Sequence, residues 1–135
     1  MPKYLGSDCI DNGIDFPRVR KVAGDGIELH VIKAYALGDS YATVVGNSVG
    51  SVALAATDLV LAADATVGRK VTVGAKSITA ASANSGASPD LHFAIVNTTS
   101  STVLVVTDET SNQVITLGNP IETPAWAFKI PFAMV

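Results

Sequence analysis

The stretch that decides the fold is LHFAIVN (residues 91–97), followed by the polar turn TTSS (98–101) and then by TVLVVT (102–107). A second polar segment, DETS (108–111), leads into a further apolar run, NQVITL (112–117). Short runs rich in β-branched residues, separated by polar turns at a spacing of roughly 10 residues, are typical of antiparallel strands in a sandwich or small barrel. This half of the chain therefore predicts an all-β fold.

The composition of the whole chain agrees with a single sheet-based domain. Its 135 residues suffice for one domain, and 48% of them are hydrophobic while only 16% are charged, against a usual charged share of about 25%. This balance excludes disorder over most of the length. Aromatic residues make up only 6%, so the core must be built from small and β-branched side chains. A chain this poor in charge is also expected to have much of its surface covered by other subunits.

Charge and cysteine content exclude several classes of function. The net charge is −3 and the isoelectric point about 5.1, so no direct nucleic-acid partner is expected, since such domains are usually strongly basic. No apolar run approaches the roughly 20 residues of a membrane span, and residues 1–8 lack the apolar segment of a secretory signal. Cys9 is the only cysteine, which rules out an intrachain disulfide. We therefore expect folding in a cytoplasm, without a membrane partner.

The chain divides by pattern into three parts. Residues 1–17 are irregular and predict an extended N-terminal arm, residues 18–123 predict the β domain, and residues 124–135 predict a C-terminal strand or arm. The expected architecture is a single-domain β-sandwich or small barrel with extended N- and C-terminal arms. Further strands are expected at residues 18–22, 27–32, 69–73 and 76–80. Residues 52–63 are compatible with two strands, which we favour, or with an alanine-rich helix.

One short motif touches on catalysis. Gly38-Asp39-Ser40 resembles the nucleophile block of the GDSL hydrolases, in which a later Asp-x-x-His supplies the base. Here His92 is the only downstream histidine, and Asp90 precedes it by two positions. Because no base is available at the required spacing, we expect a turn, no catalytic residue and no enzyme activity.

Metal and cofactor sites are not expected either. Asp8, Asp11 and Asp15 lack the alternating oxygen ligands and the closing glutamate of a calcium loop. His30 and His92 lie far apart in the sequence, without a cysteine or glutamate motif beside them. Glu28 and His30 share one face of a predicted strand. We interpret the acidic residues as a solvated arm and the histidines as residues of a sheet face or an interface.

Two clusters are candidate interface residues. Arg18 and Arg20, with Lys21, form either an electrostatic contact with another subunit or a solvated strand face. Trp126, Phe128 and Phe132 lie between or beside prolines near the C-terminus. They form either a strand that closes the core or an arm that docks on a neighbouring chain, since aromatic residues anchor interfaces.

Six segments of turn and strand sequence are distinctive, and none carries a catalytic signature. They are AYALGDSYA (34–42), GNS (46–48), SITA (77–80), SPDLH (88–92), VVTDETSNQVIT (105–116) and PAW (124–126). Through these segments, nearly the whole chain beyond residue 4 resembles a group of small tailed-bacteriophage proteins that are encoded close to the major capsid protein.

The resemblance implies a capsid decoration or minor capsid protein, located in the virion and assembled in the bacterial cytoplasm. The implied partners are the major capsid protein and further copies of the chain, with a trimer favoured. We expect the contacts to come from Tyr4, Leu5 and Asp8 in the N-terminal arm and from the aromatic tail. Alternatives are a head–tail connector or tail-tube ring protein, and an outward-displayed module that binds the host surface through Tyr35 and Tyr41.

Overall fold

The computed structural model describes residues 4–5, 13–63, 69–82, 91–108 and 114–130. Strands dominate these residues, and the helical elements are short. The helices are α1 (Phe16–Val22), α2 (Tyr41–Gly46) and one 3₁₀ turn, η1 (Ala56–Asp58). The strands are β1 (Tyr4–Leu5), β2 (Ile27–Ile32), β3 (Ser48–Ala53), β4 (Leu59–Ala63), β5 (Arg69–Val73), β6 (Lys76–Thr79), β7 (His92–Asn97), β8 (Thr102–Asp108), β9 (Pro120–Thr123) and β10 (Trp126–Ile130).

The strands form three antiparallel sheets. Sheet A has the order β1-β8-β7-β2-β3, sheet B the order β10-β5-β4, and sheet C pairs β6 with β9. The all-β prediction is therefore confirmed. Within the described residues the three sheets stay separate rather than closing into a barrel, and the arrangement resembles a sandwich.

Sheet A is covered on both faces, and its inner strands β2 and β7 are buried almost throughout. Leu29, Val31 and Ile95 point from one face into a large core that also receives Val71 of sheet B and Ile121 of sheet C. The other face carries a smaller cluster of Ile32, Val44, Ala94, Val96 and Val106, with Tyr35, Tyr41 and Val103 packed against it. Because strand residues alternate between faces, a central strand with both faces covered reads as continuously apolar, as β7 does.

The strand expected at residues 18–22 is wrong, because these residues form helix α1. Pro17 occupies the first turn, where a missing backbone N–H costs nothing. The helix ends at Val22, and Gly24 follows its C-cap with a φ of +105°, which suits only glycine. Gly24 N–H donates to Lys21 O, and the Asp25 N–H donates to Arg20 O. This pair of bonds is a Schellman motif, and it redirects the chain into β2.

Three other sequence predictions of local structure can be compared with the structure. The Gly38-Asp39-Ser40 segment is a turn as expected, and Ser40 caps α2 by accepting a hydrogen bond from Thr43 N–H at 3.2 Å. Residues 52–63 form the end of β3, η1 and β4, so the strand interpretation is confirmed over the helix. The strand expected at residues 112–117 is wrong in its described part, since residues 114–117 are irregular and β9 follows.

Candidate interaction surfaces

Arg18 and Arg20 lie on helix α1, and each is paired within the chain. Arg18 Nε donates to both Asp15 carboxylate oxygens, at 3.0 and 2.8 Å. Arg20 Nε donates to Asp25 Oδ2 at 2.7 Å. These hydrogen bonds, together with the charge of each carboxylate, raise the pKa of both arginines. The cluster therefore offers oriented, partly neutralised cations rather than a free basic patch.

Asp25 links this helix to sheet A. Its Oδ2 also accepts a hydrogen bond from Asn97 Nδ2, at 2.9 Å. Asn97 is buried at the end of β7, and its Oδ1 accepts from the backbone N–H groups of Thr99 and Ser100. The hydrogen bond from Arg20, together with that from Asn97, lowers the pKa of the Asp25 carboxyl below its ordinary value. The network fixes the orientation of α1 on the sheet.

The same helix exposes apolar side chains. Val19 is 49% exposed and Val22 is 66% exposed, and their spacing of three residues places them on one side of α1. Pro17 is buried on the opposite side. Large apolar side chains are exposed elsewhere at Leu37, Val60, Val114 and Leu117. The outer side of α1 therefore carries two exposed valines with Arg18 at its flank, whereas Arg20 lies about 160° from Arg18 around the helix and is turned towards Asp25.

The N-terminal candidates are only partly described. Tyr4 and Leu5 form β1, which pairs antiparallel with β8 through Tyr4↔Val106 and Leu5↔Val105. This strand forms one edge of sheet A, and β3 forms the other. Asp8 lies outside the described residues. The backbone of Tyr4 and Leu5 is thus held by the chain's own sheet.

Of the three aromatic candidates near the C-terminus, the structure describes Trp126 and Phe128. Phe128 is buried in the main core, and Trp126 packs between Phe93 and Phe128, with ring centroids at 5.8 and 6.0 Å. The Trp126 Nε1 atom is buried and has no hydrogen-bond partner among the described residues. Phe132 lies outside the described residues. In this chain Trp126 and Phe128 therefore close the core from an edge strand, as one of the two interpretations held.

A polar cluster of three side chains crosses from β2 to β3. His30 is buried, and its Nε2 lies 3.0 Å from Glu28 Oε1 while its Nδ1 lies 2.9 Å from Ser48 Oγ. Ser48 Oγ also donates to the backbone oxygen of Gly50, at 3.1 Å. Because the hydroxyl has one proton to give, the three bonds coexist only when both ring nitrogens carry protons. Glu28, His30 and Ser48 thus have the residue types of a proton relay. The Ser48 hydroxyl, however, donates its proton to the backbone oxygen of Gly50.

Sequence reasoning missed this cluster as a unit. The shared face of Glu28 and His30 was visible from their spacing. Ser48 could not be added, because it approaches through the pairing of β2 with β3, where the register shifts between Val31 and Ile32. A β-bulge of this kind leaves one residue of a strand unpaired and shifts the pairing of the residues beyond it. No local pattern in the sequence marks its position.

The remaining candidate residues, His92 and Asp15, both contact other side chains of this chain. His92 is buried and stacks edge-on with Tyr35, at 6.3 Å between centroids. Asp15 accepts hydrogen bonds from Arg18.

The described residues include no group of three or more histidine, cysteine or acidic side chains placed to hold a metal. They also include no helix long and apolar enough to cross a membrane.

Comparison of the chain with protein-family models, with curated proteins and with solved structures finds no match.

Proposed function

We propose that this chain is a structural protein of a tailed-bacteriophage virion, a capsid decoration or minor capsid protein that bridges and stabilises subunits of the major capsid protein. The observation that carries the proposal is the outer side of α1, where Val19 and Val22 are exposed and Arg18 lies at the flank. The likeness of the strand and turn segments to small phage proteins supplies the identity of the partner.

The proposed contact works by repetition. An interface built on one short helix is modest in area, but a shell presents the same partner surface many times by symmetry. Apolar burial of the valines supplies most of the free energy of each contact. Arg18 is already oriented by Asp15, so little side-chain entropy is lost when a capsid carboxylate approaches it. Each copy then adds a small stabilisation across a boundary between capsid subunits.

The proposal is tested with phage particles made without this protein. Purified chain is added back, and bound protein is measured after sedimentation, together with retention of DNA on heating. Wild-type chain should bind and delay DNA loss. The double variant Val19→Asp/Val22→Asp should not bind.

The matched control is Val114→Asp/Leu117→Asp, which introduces the same two charges at exposed apolar positions outside α1. It should bind as wild type does. Binding by both double variants would reject α1 as the contact, and failure of the wild-type chain to bind would reject the decoration role.

A further inference from the structure

We infer that β4 is a self-association edge, through which two copies of this chain pair antiparallel and join their sheets B across a two-fold axis. Sheet B has the order β10-β5-β4, so β4 pairs with β5 on one side. Among the residues that the structure describes, no strand pairs with its other side. The contact is a property of the isolated chain and does not depend on a place in a virion.

The hydrogen-bonding groups on the open side can be assigned from the register. Gly74 N–H donates to Asp58 O, and Cα pairing continues as Val60↔Thr72 and Ala62↔Lys70. Antiparallel ladders alternate between hydrogen-bonded and non-hydrogen-bonded pairs. The backbone groups of residues 60 and 62 therefore face β5, while those of Leu61 and Ala63 face outward.

The beginning of β4 agrees with this assignment. Leu59 N–H is the exception among the outward groups, because it donates back to Ala56 O in η1. Leu59 O and both backbone groups of Leu61 remain directed away from sheet B. An edge of this kind is a template for another strand.

β4 also lacks the features that protect an edge strand. Its sequence, LVLAA, has no charge and no proline, and Val60 is 54% exposed. The opposite edge, β10, differs because Pro124 precedes it and Lys129 lies within it. Lysine and proline are the usual means by which an edge strand avoids pairing. The unprotected edge is thus confined to one side of sheet B.

A second copy fits this edge better than a charged or irregular segment would. Two-fold pairing centred on Val60 places Leu59 opposite Leu61 of the second copy, so the Leu61 N–H of each copy meets the Leu59 O of the other, while Leu59 N–H stays bonded to Ala56 O in its own chain. It places the two Val60 side chains next to each other, in the non-hydrogen-bonded pair where strands approach most closely. Cross-strand pairs of β-branched residues are favourable.

Charge does not oppose this register. Asp58 would lie opposite Ala62 of the second copy rather than opposite an acidic residue. Its carboxylate is in any case occupied, because Oδ2 lies 2.7 Å from Lys76 Nζ and accepts from Ala55 N–H at 2.8 Å. Burial raises the pKa of Asp58, but the hydrogen bonds from Lys76 and Ala55 outweigh it and leave the pKa lowered. The carboxylate therefore remains paired within its own chain.

The test is disulfide trapping in a Cys9→Ser background. A Val60→Cys variant places two cysteines across the axis with Cα atoms about 4.5 Å apart, which lies inside the disulfide range of about 4.4–6.8 Å. Mild oxidation should convert it to a covalent dimer of twice 13.8 kDa. The matched control, Ala127→Cys, has an exposed cysteine on β10 and should stay monomeric on denaturing gels.

A second pair of variants tests the contact without cysteines. Val60→Lys places two positive charges across the axis, whereas Val60→Thr keeps a β-branched side chain without charge. Light scattering over a concentration series should show dimer for wild type and Val60→Thr and monomer for Val60→Lys. Circular dichroism checks that all three are folded. Equal crosslinking of the Val60→Cys and Ala127→Cys variants, a monomer at every concentration, or a trimer unaffected by Val60→Lys would each overturn the inference.

Discussion

A Cβ atom on Gly50 would lie 2.8 Å from Ile78 Cγ2, so sheet A reaches sheet C at a point where residue 50 has no side chain. The same Cβ would lie 3.2 Å from Thr79 O and 3.3 Å from Ile121 Cδ1. These neighbours are a strand backbone and two buried side chains, which have little freedom to move. The absence of a side chain at one position of β3 therefore sets the distance between two sheets.

Gly50→Ala should lower the free energy of unfolding by about 1–3 kcal/mol, because overpacking a filled core forces backbone shifts. Chemical denaturation followed by tryptophan fluorescence measures the loss. Gly46→Ala is the matched control, since a Cβ at the end of α2 meets nothing within 4 Å. That variant should stay within about 1 kcal/mol of wild type. Equal stability of the two variants would contradict the close approach of the sheets.

Trp126→Phe should leave stability within about 1 kcal/mol of wild type. The phenyl ring keeps the contacts with Phe93 and Phe128, and the change removes an indole N–H that is buried without a partner among the described residues, a state that costs about 1–3 kcal/mol. Trp126→Ala should cost about 2–4 kcal/mol, because it leaves a cavity. Thermal and urea unfolding by circular dichroism compare the variants. A large loss for Trp126→Phe would mean that the N–H has an unrecognised partner.

Asp25→Asn should change how stability depends on acidity. The pKa of Asp25 is lowered in the folded chain, so its contribution is present above the unfolded value, about 3.9. It is lost as the pH falls through the folded value, because the unfolded chain then binds the proton more readily. The gap in urea midpoint between wild type and variant should therefore be widest near neutral pH and shrink below about pH 4. A gap that stays constant down to the lowest pH would show that the pair with Arg20 is absent in solution.

Glu28 and Ser48 should be energetically coupled through His30. Glu28→Ala and Ser48→Ala should each cost about 1 kcal/mol. The double variant should cost less than the sum, by at least about 0.5 kcal/mol, because both bonds depend on one imidazole. The cycle is repeated in a His30→Phe background, where the coupling should fall below about 0.5 kcal/mol. Coupling that persists there would have to come from the strand pairing itself.

The clearest predictions were the strands buried on both faces, although β5 and β6 were also expected and are only half-buried. β7 and β8 read as continuous apolar runs bounded by polar turns, and nothing else of that length and composition fits them. The proline at position 124 limited residues 124–135 to an edge strand or an arm, and the structure shows the strand β10. In these elements local preference and tertiary position agree, so the residues alone were sufficient.

The elements that were not predictable depend on contacts between distant residues. Residues 18–22 alternate like a strand, but Pro17 and Gly24 bound a helix, and Asn97 anchors the Asp25 that follows it. Ser48 meets His30 only because β2 and β3 pair with a shifted register. The open side of β4 depends on the order of sheet B. A local pattern carries no information on sheet order or register, so the candidate surfaces could be assigned only from the structure.

The measurement that tests the virion role most directly is the copy number of this chain in purified particles, by quantitative mass spectrometry against the major capsid protein. A decoration or minor capsid protein should be present in a simple ratio to the shell protein, since symmetry gives it one binding position per repeated unit. Absence from the particles would contradict the virion role. A ratio lower by more than about an order of magnitude would place the chain at a unique vertex of the particle rather than on the shell. Symmetry admits only a connector or tail ring at such a vertex.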